Sequence, residues 1–172
     1  MEELPIPILF TAFTIYLIPG VFGSYVNWWE HKALSGFPPP LTYSYTYPEE
    51  EVFHDYWEAI EYGKKVNKPV FIDFTGWNCT NCRDMEENVF PEVEGLLDQY
   101  VICQLYVDEK IKLKDSETVV VPTNDGGSRK KILTTIGDKW STLQVTTYKK
   151  TSQPWYALYS WKDGLLTHPV GK

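Results

Sequence analysis

The sequence has few cysteines and a shortage of positive charge. Three cysteines among 172 residues are too few for a domain stapled by disulfides. Lysine and arginine number 16 against 23 acidic residues, which gives a formal net charge of −7. Since no basic face is evident, no nucleic-acid partner is expected. Two cysteines form a local pair and the third is isolated, a distribution that indicates redox or metal chemistry.

Charge is absent altogether from one long stretch near the N-terminus, between Glu3 and Glu30. The segment from Leu4 to Trp29 is long enough to cross a bilayer. The residues before it are acidic, which a secretory signal would not have. We therefore predict a membrane-type segment over residues 1–29, with an apolar arm packed on another domain as the alternative.

A proline-containing linker is expected over residues 30–47. It holds three consecutive prolines, Pro38 to Pro40, among serine, threonine and tyrosine residues, a composition typical of an extended connection. The following domain is therefore predicted to occupy residues 48–172.

This domain shows an alternation of helical and strand patterns. A helix is predicted from Pro48 to Lys65, since acids follow the proline and apolar residues recur at helical spacing. Val70 to Thr75 is an apolar, β-branched run typical of a buried strand. A helical pattern from Thr80 to Asp98, interrupted at Pro91, leads to a second strand at Tyr100 to Val107. A strand, helix and strand at this spacing predict parallel strands.

The second half of the domain begins with a stretch of mixed charge at residues 108–136, which we predict to be an insertion outside the core. A helix is expected from Gly137 to Tyr148 and a strand from Trp155 to Trp161. A turn at residues 162–164 then leads into a last strand at Leu165 to Thr167. The fold class is therefore α/β.

The local cysteine pair, Cys79 and Cys82, lies where the first strand gives way to a helix. A cysteine at a helix N-terminus gains from unpaired N–H groups and the helix dipole, which favour its thiolate. Cys79 is therefore the candidate nucleophile. Cys82, one turn later, is expected to be more buried and to attack a mixed disulfide on Cys79, thereby releasing the substrate.

A structural zinc site is the main alternative for this pair, and it lacks ligands. Zinc takes four protein ligands, or three and a water. The remaining candidates are Cys103, which lies within an apolar strand, and three scattered histidines, none at the spacing of a second metal-binding pair. No metal and no cofactor are expected beyond a redox-active disulfide.

Two acidic residues are candidates for a role beside the cysteines. Asp73 interrupts the buried strand, where a charge is unfavourable unless it is used, and it could accept a proton from Cys82. Its alternative is a structural acid held by hydrogen bonds. Glu86, one turn after Cys82, could approach the same region or be an ordinary surface glutamate. Arg83 either adds positive potential near the pair or is a solvated helix residue.

These features together resemble a thioredoxin-fold protein. More specifically, residues 68–90, KPVFIDFTGWNCTNCRDMEENVF, resemble the C-terminal thioredoxin-like domain of membrane thiol:disulfide interchange proteins of the DsbD type, the cytochrome c biogenesis reductases. Residues 136–144 and 151–160 support this resemblance. Residues 13–23 and 34–40 resemble the last membrane segment of such proteins and its linker.

The resemblance implies a membrane-tethered protein-disulfide reductase at a bacterial inner membrane, with this domain facing the periplasm. An upstream membrane electron-transfer domain would reduce the pair, which would pass electrons to extracytoplasmic thiol-disulfide proteins. Cys79 would be the nucleophile and Cys82 the resolving thiol. Asp73 and Glu86 would modulate their pKa values, and Pro154 would be a cis-proline beside them.

The sequence departs from this family in two places. Trp77 is separated from Cys79 by Asn78, whereas many thioredoxins have the tryptophan immediately before the first cysteine. The chain also lacks the closing helix that the family has after the final hairpin, so it is expected to be a fragment of a larger membrane protein. A disulfide oxidase or isomerase on the same fold, and a non-catalytic module that carries a metal ion, remain alternative functions.

Overall fold

The computed structural model describes residues 6–21, 52–122 and 127–172. Five α-helices and seven β-strands form in these ranges, with a short 3-10 helix, Phe90–Val93, before α4. In chain order the elements are α1 (Ile6–Val21), α2 (Tyr56–Val66), β1 (Val70–Thr75), α3 (Thr80–Asn88), α4 (Glu94–Leu97), β2 (Val101–Tyr106), β3 (Lys112–Pro122), β4 (Ser128–Thr135), α5 (Ile136–Tyr148), β5 (Trp155–Ser160), β6 (Gly164–Leu165) and β7 (Val170–Gly171).

The central sheet is mixed and has the strand order β2-β1-β5-β6, with β7 also paired to β5. β1 and β2 run parallel, in a register that begins at Val70 opposite Val101 and ends at Thr75 opposite Tyr106. β1 and β5 run antiparallel. The predicted α/β class and the predicted parallel strands are therefore confirmed.

Helices flank both faces of this sheet. Ile72 and Phe74 of β1 are fully buried in the main core, together with Ala59 of α2 and Trp140 of α5. Alternate strand residues point to opposite faces, so Phe71, Asp73 and Thr75 lie on the other side. There Phe71 packs against Phe90 of the 3-10 helix. The side of β1 that carries Asp73 therefore faces the segment that follows the cysteine pair.

The predicted start of the first domain helix is wrong. α2 begins at Tyr56, because the Asp55 carboxylate accepts hydrogen bonds from the backbone N–H groups of Trp57 and Glu58 and so caps the helix. Phe53, expected on this helix, instead forms a parallel bridge with Cys103 of β2. Residues 48–51 lie outside the described residues.

The stretch at residues 108–136 leaves the central sheet and forms its own antiparallel hairpin from β3 and β4. The hairpin leads directly into α5, where Thr135 and Asp138 form a reciprocal capping box. Near the end of the chain, β6 covers only Gly164–Leu165 instead of the predicted Leu165 to Thr167, and β7 adds a short strand that was not predicted.

The predicted membrane-type segment forms helix only over Ile6–Val21 within the described part of the chain. This helix is apolar and its large side chains are mostly exposed. Its 16 residues fall short of the roughly 20 that a membrane-crossing helix needs. Across residues 6–21, 52–122 and 127–172, no helix is long and apolar enough to cross a membrane. The rest of the segment and the linker at residues 30–47 lie outside the described residues.

Candidate functional site

The candidate site begins where β1 ends and α3 starts. Cys79 is the N-cap residue of α3, and its Sγ accepts a hydrogen bond of 3.2 Å from the backbone N–H of Cys82. The Cys79 carbonyl also accepts from the N–H groups of Cys82 and Arg83. The two cysteines form a disulfide, with 5.2 Å between their Cα atoms. The cap geometry thus brings both sulfur atoms to the positive end of α3.

The two sulfur-bearing residues differ in exposure. Cys79 is half-buried, whereas Cys82 is only 1% exposed. Thr80 and Asn81 between them are exposed. An incoming disulfide therefore has access to Cys79, and Cys82 lies behind it within bonding distance.

The turn before the cysteines is held by acids that follow β2. The carboxylate of Asp108 accepts hydrogen bonds from the backbone N–H of Trp77 at 2.8 Å and from that of Asn78 at 3.2 Å. The Glu109 carboxylate accepts from the Trp77 indole N–H at 2.9 Å. The Trp77 ring also stacks on Tyr106 of β2, with 3.9 Å between ring centroids. These contacts fix the backbone that delivers Cys79 to the end of α3.

Asp73 lies on β1 beneath this turn and is 1% exposed. Within the described chain, neither of its carboxylate oxygens reaches hydrogen-bonding geometry, although Gln104 of the neighbouring strand lies close enough to favour the charged form. Burial, and then the charge of Glu86, raise the pKa of Asp73 well above its usual range, against a smaller opposing effect of Arg83. The surroundings of Asp73 therefore favour its protonated form.

Arg83 is buried, so the alternative of a solvated helix residue is wrong. Its guanidinium group forms an ion pair with the carboxylate of Glu86. It also donates to the Thr75 hydroxyl at 3.2 Å and to the Gly76 carbonyl at 3.3 Å. Arg83 thereby ties α3 to the end of β1, and it brings Glu86 into the neighbourhood of Asp73.

Tyr156 completes the polar cluster from β5, where it pairs with Asp73 across the sheet. Its ring stacks on Phe71, and its hydroxyl is buried without a hydrogen-bond partner in the described chain. Burial and the nearby charges of Asp73 and Glu86 raise the pKa of Tyr156 well above its usual range. The tyrosine is therefore neutral at all physiological pH values.

Pro154 lies at the entry of β5 and is fully buried. The pairing of Phe74 with Trp155 places it beside the end of β1, the same end from which the cysteine turn departs. The Gln153–Pro154 peptide bond is cis. The fold thus brings Pro154, Asp73 and Glu86 to the region of the Cys79–Cys82 pair.

The described residues around the cysteine pair do not bring together the side chains that a metal site needs. In the described ranges, no group of three or more histidine, cysteine, aspartate or glutamate residues is arranged to hold a metal ion. Cys103 lies on β2 and is fully buried, and burial raises the pKa of its thiol well above its usual range. This thiol has the character of a small core residue.

Three contributors to the site were not predicted from the sequence: Asp108, Glu109 and Tyr156. Asp108 and Glu109 were assigned to an insertion outside the core. The signal that could have identified them is their position directly after a buried parallel strand, at the same sheet edge as the end of β1. Tyr156 had no such signal, because its place opposite Asp73 depends on the register of two distant strands.

Comparison with known proteins adds no further assignment, since the chain matches no protein-family model and no curated protein sequence.

Proposed function

We propose that this protein is a thiol-disulfide oxidoreductase with a thioredoxin-like fold, and that it acts as a protein-disulfide reductase. The observation that carries the proposal is the Cys79–Cys82 disulfide at the N-terminus of α3, with one cysteine accessible and the other buried. The mixed sheet flanked by helices and the position of Pro154 support the fold assignment.

The reaction needs only the two thiols. In the reduced protein, the Cys79 thiolate attacks one sulfur of a partner disulfide, a mixed disulfide forms, and the other partner sulfur leaves as a thiolate. Cys82 then loses its proton and attacks the Cys79 sulfur. The bond between Cys79 and the partner breaks, and the second partner thiolate leaves. The dithiol is oxidised by two electrons and the partner disulfide is reduced.

The neighbouring residues would support these steps in different ways. The unpaired N–H groups at the start of α3 favour the thiolate of Cys79, which is the attacking form. The acids Asp73 and Glu86 would modulate the pKa values of the two thiols, since the protonation state of a neighbouring carboxyl group changes the stability of a thiolate. Pro154, at the entry of β5, would be the cis-proline beside the pair.

The cellular setting belongs to the same proposal and rests on the resemblance to the DsbD-type proteins. The domain would face the periplasm at a bacterial inner membrane and would accept electrons from an upstream membrane domain. It would pass them to extracytoplasmic thiol-disulfide proteins. The exposed apolar side chains of α1 support attachment to an apolar environment, since such surfaces are rarely left in water.

Reduction of insulin disulfides by the purified protein, with a chemical thiol as the electron source, tests the activity. Wild-type protein is expected to turn over, and Cys79→Ser is expected to be inactive. Cys103→Ala is the matched control, because it removes the third thiol and leaves the pair intact. Absence of thiol-dependent turnover in the wild type would refute the proposal.

The direction of electron flow is set by the reduction potential, which equilibration with glutathione measures. A potential near that of thioredoxin is expected for a reductase. A strongly oxidising potential would favour an oxidase or isomerase on the same site.

A further inference from the structure

The polar cluster formed by Asp73, Arg83, Glu86 and Tyr156 contains two carboxyl groups and one guanidinium group, and the two carboxyl groups have different surroundings. Glu86 is paired directly with Arg83, and its side chain remains 18% exposed. Asp73 is 1% exposed, and the hydrogen-bonding groups of the described chain do not meet its oxygens. An ionised carboxylate without hydrogen bonds is very unfavourable in such surroundings, whereas a paired one is tolerated.

The guanidinium group is held in place independently of Glu86. Arg83 donates to the Thr75 hydroxyl and to the Gly76 carbonyl, both at the end of β1. With Nη2 held by these two contacts, the Nη1 group reaches the Glu86 side chain one turn later on α3. The Arg83 guanidinium therefore forms a direct ion pair with Glu86. Its electrostatic effect on Asp73 is smaller and acts without a hydrogen bond between them.

Glu86 also lies near the resolving thiol along α3. It lies four residues after Cys82 on the same helix, and such residues share one helix face with about 5–6 Å between their Cβ atoms. The neighbours of Asp73 in the sheet carry no negative charge near neutral pH: Gln104 of β2 is an amide, and the Tyr156 hydroxyl of β5 has a pKa well above its usual range. Glu86 is therefore the carboxyl group of this cluster that pairs directly with a positive charge.

We propose that Arg83 is a positioning residue that keeps Glu86 ionised, so that Glu86 rather than Asp73 accepts the proton of Cys82 in the resolving step. This inference rests on the proposed function and assigns its proton transfer. The Cys82 S–H proton passes to the Glu86 carboxylate, and the thiolate electron pair forms the bond to the Cys79 sulfur. The bond between Cys79 and the partner sulfur then breaks, and the partner leaves as a thiolate. Asp73 keeps its proton throughout.

Stopped-flow reaction of the reduced protein with dithiobis(nitrobenzoate) separates the two steps, because each step releases one coloured thiolate. The first phase reports attack by Cys79 and depends only on the proposed function. The second phase reports attack by Cys82, and Cys82→Ser should abolish it. A wild-type protein that shows neither phase would refute the proposed oxidoreductase function. The assignment of the proton acceptor is tested separately, by the effect of variants on the second phase.

The second phase is expected to slow by about 10²-fold in Glu86→Gln, the usual minimum for loss of a proton acceptor. Arg83→Gln should slow it similarly and shift its pH midpoint upward, while Arg83→Lys should restore much of the rate. Asp73→Asn should slow it far less, since an amide replaces an uncharged acid. The exposed Arg129→Gln is the control that leaves the rate unchanged.

Two results would overturn the assignment. One is an Asp73→Asn variant that slows the second phase as much as Glu86→Gln does, and the other is an Arg83→Gln variant with the wild-type pH profile. Carboxyl-carbon NMR of the oxidised wild type gives an answer that does not depend on any variant folding. Near neutral pH, Glu86 should be ionised and Asp73 protonated, and the reverse pattern would also contradict the proposal.

Discussion

The carboxylate of Asp108 should make a measurable contribution to stability through the cysteine turn. Its 2.8 Å hydrogen bond from the Trp77 N–H is partly buried, and bonds of this kind to a charged group contribute about 1.5–3 kcal/mol. The second bond, from the Asn78 N–H at 3.2 Å, is exposed, so water replaces it at little cost. Asp108→Ala is therefore expected to lower the free energy of unfolding by about 2 kcal/mol.

Urea unfolding of the oxidised protein, followed by tryptophan fluorescence, measures this change. Asp108→Asn keeps one carbonyl oxygen for the Trp77 N–H and should lose about half as much stability. Asp115→Ala, an exposed change on β3, is the matched control and should lie within about 0.5 kcal/mol of wild type. If Asp108→Ala unfolds at the same urea concentration as this control, the turn does not depend on the carboxylate and the reasoning fails.

Three further predictions concern close packing and buried polar groups. A Cβ at Gly137 would lie 2.6 Å from the backbone of Glu109, so Gly137→Ala should destabilise the protein by about 3 kcal/mol in urea unfolding; a wild-type midpoint would contradict this. Tyr156→Phe removes a buried hydroxyl without a partner in the described chain, so stability should be unchanged or higher by about 1 kcal/mol, and a clear loss would show a missed contact. Asp73 has a raised pKa, so its contribution to stability is complete below the ordinary aspartate pKa and is lost as the pH rises toward the raised one. Urea titrations across this window should show a fall of about 1.4 kcal/mol per pH unit that is absent in Asp73→Asn, and a slope that persists there would refute it.

The elements that carry the cysteines could be predicted because local sequence determines them. The run at Val70–Thr75 is apolar and β-branched and ends at Gly76, and both the strand and the helix from Thr80 follow from that pattern. The same holds for α5, whose first turn is fixed by its capping box. In these segments local propensity and tertiary packing favour the same structure.

The start of α2 and the burial of Arg83 could not be predicted, because both depend on contacts between residues far apart in the chain. The acidic run at residues 48–51 predicted an early start for α2, but the cap at Asp55 and the bridge from Phe53 to Cys103 place the chain before Tyr56 along β2 instead. The burial of Arg83 was equally unpredictable, since an arginine one position after a cysteine on a helix is usually solvated. Its partners at the end of β1 are visible only once the sheet is formed.

The base of the β3–β4 hairpin lies next to the residues that hold the cysteine turn. Its two ends meet at one point, where Ile136 N–H donates to the Ile111 carbonyl at 2.9 Å and Gly137 N–H donates to the Glu109 carbonyl at 3.1 Å. Glu109 also holds the Trp77 indole. Because the hairpin closes on the residue that positions the cysteine turn, we expect changes in its length to leave that turn in place. The sequence pattern assigned the whole of residues 108–136 to an insertion, yet Asp108 and Glu109 at its base hold the cysteine turn, and Val121 and Leu133 of the hairpin are buried.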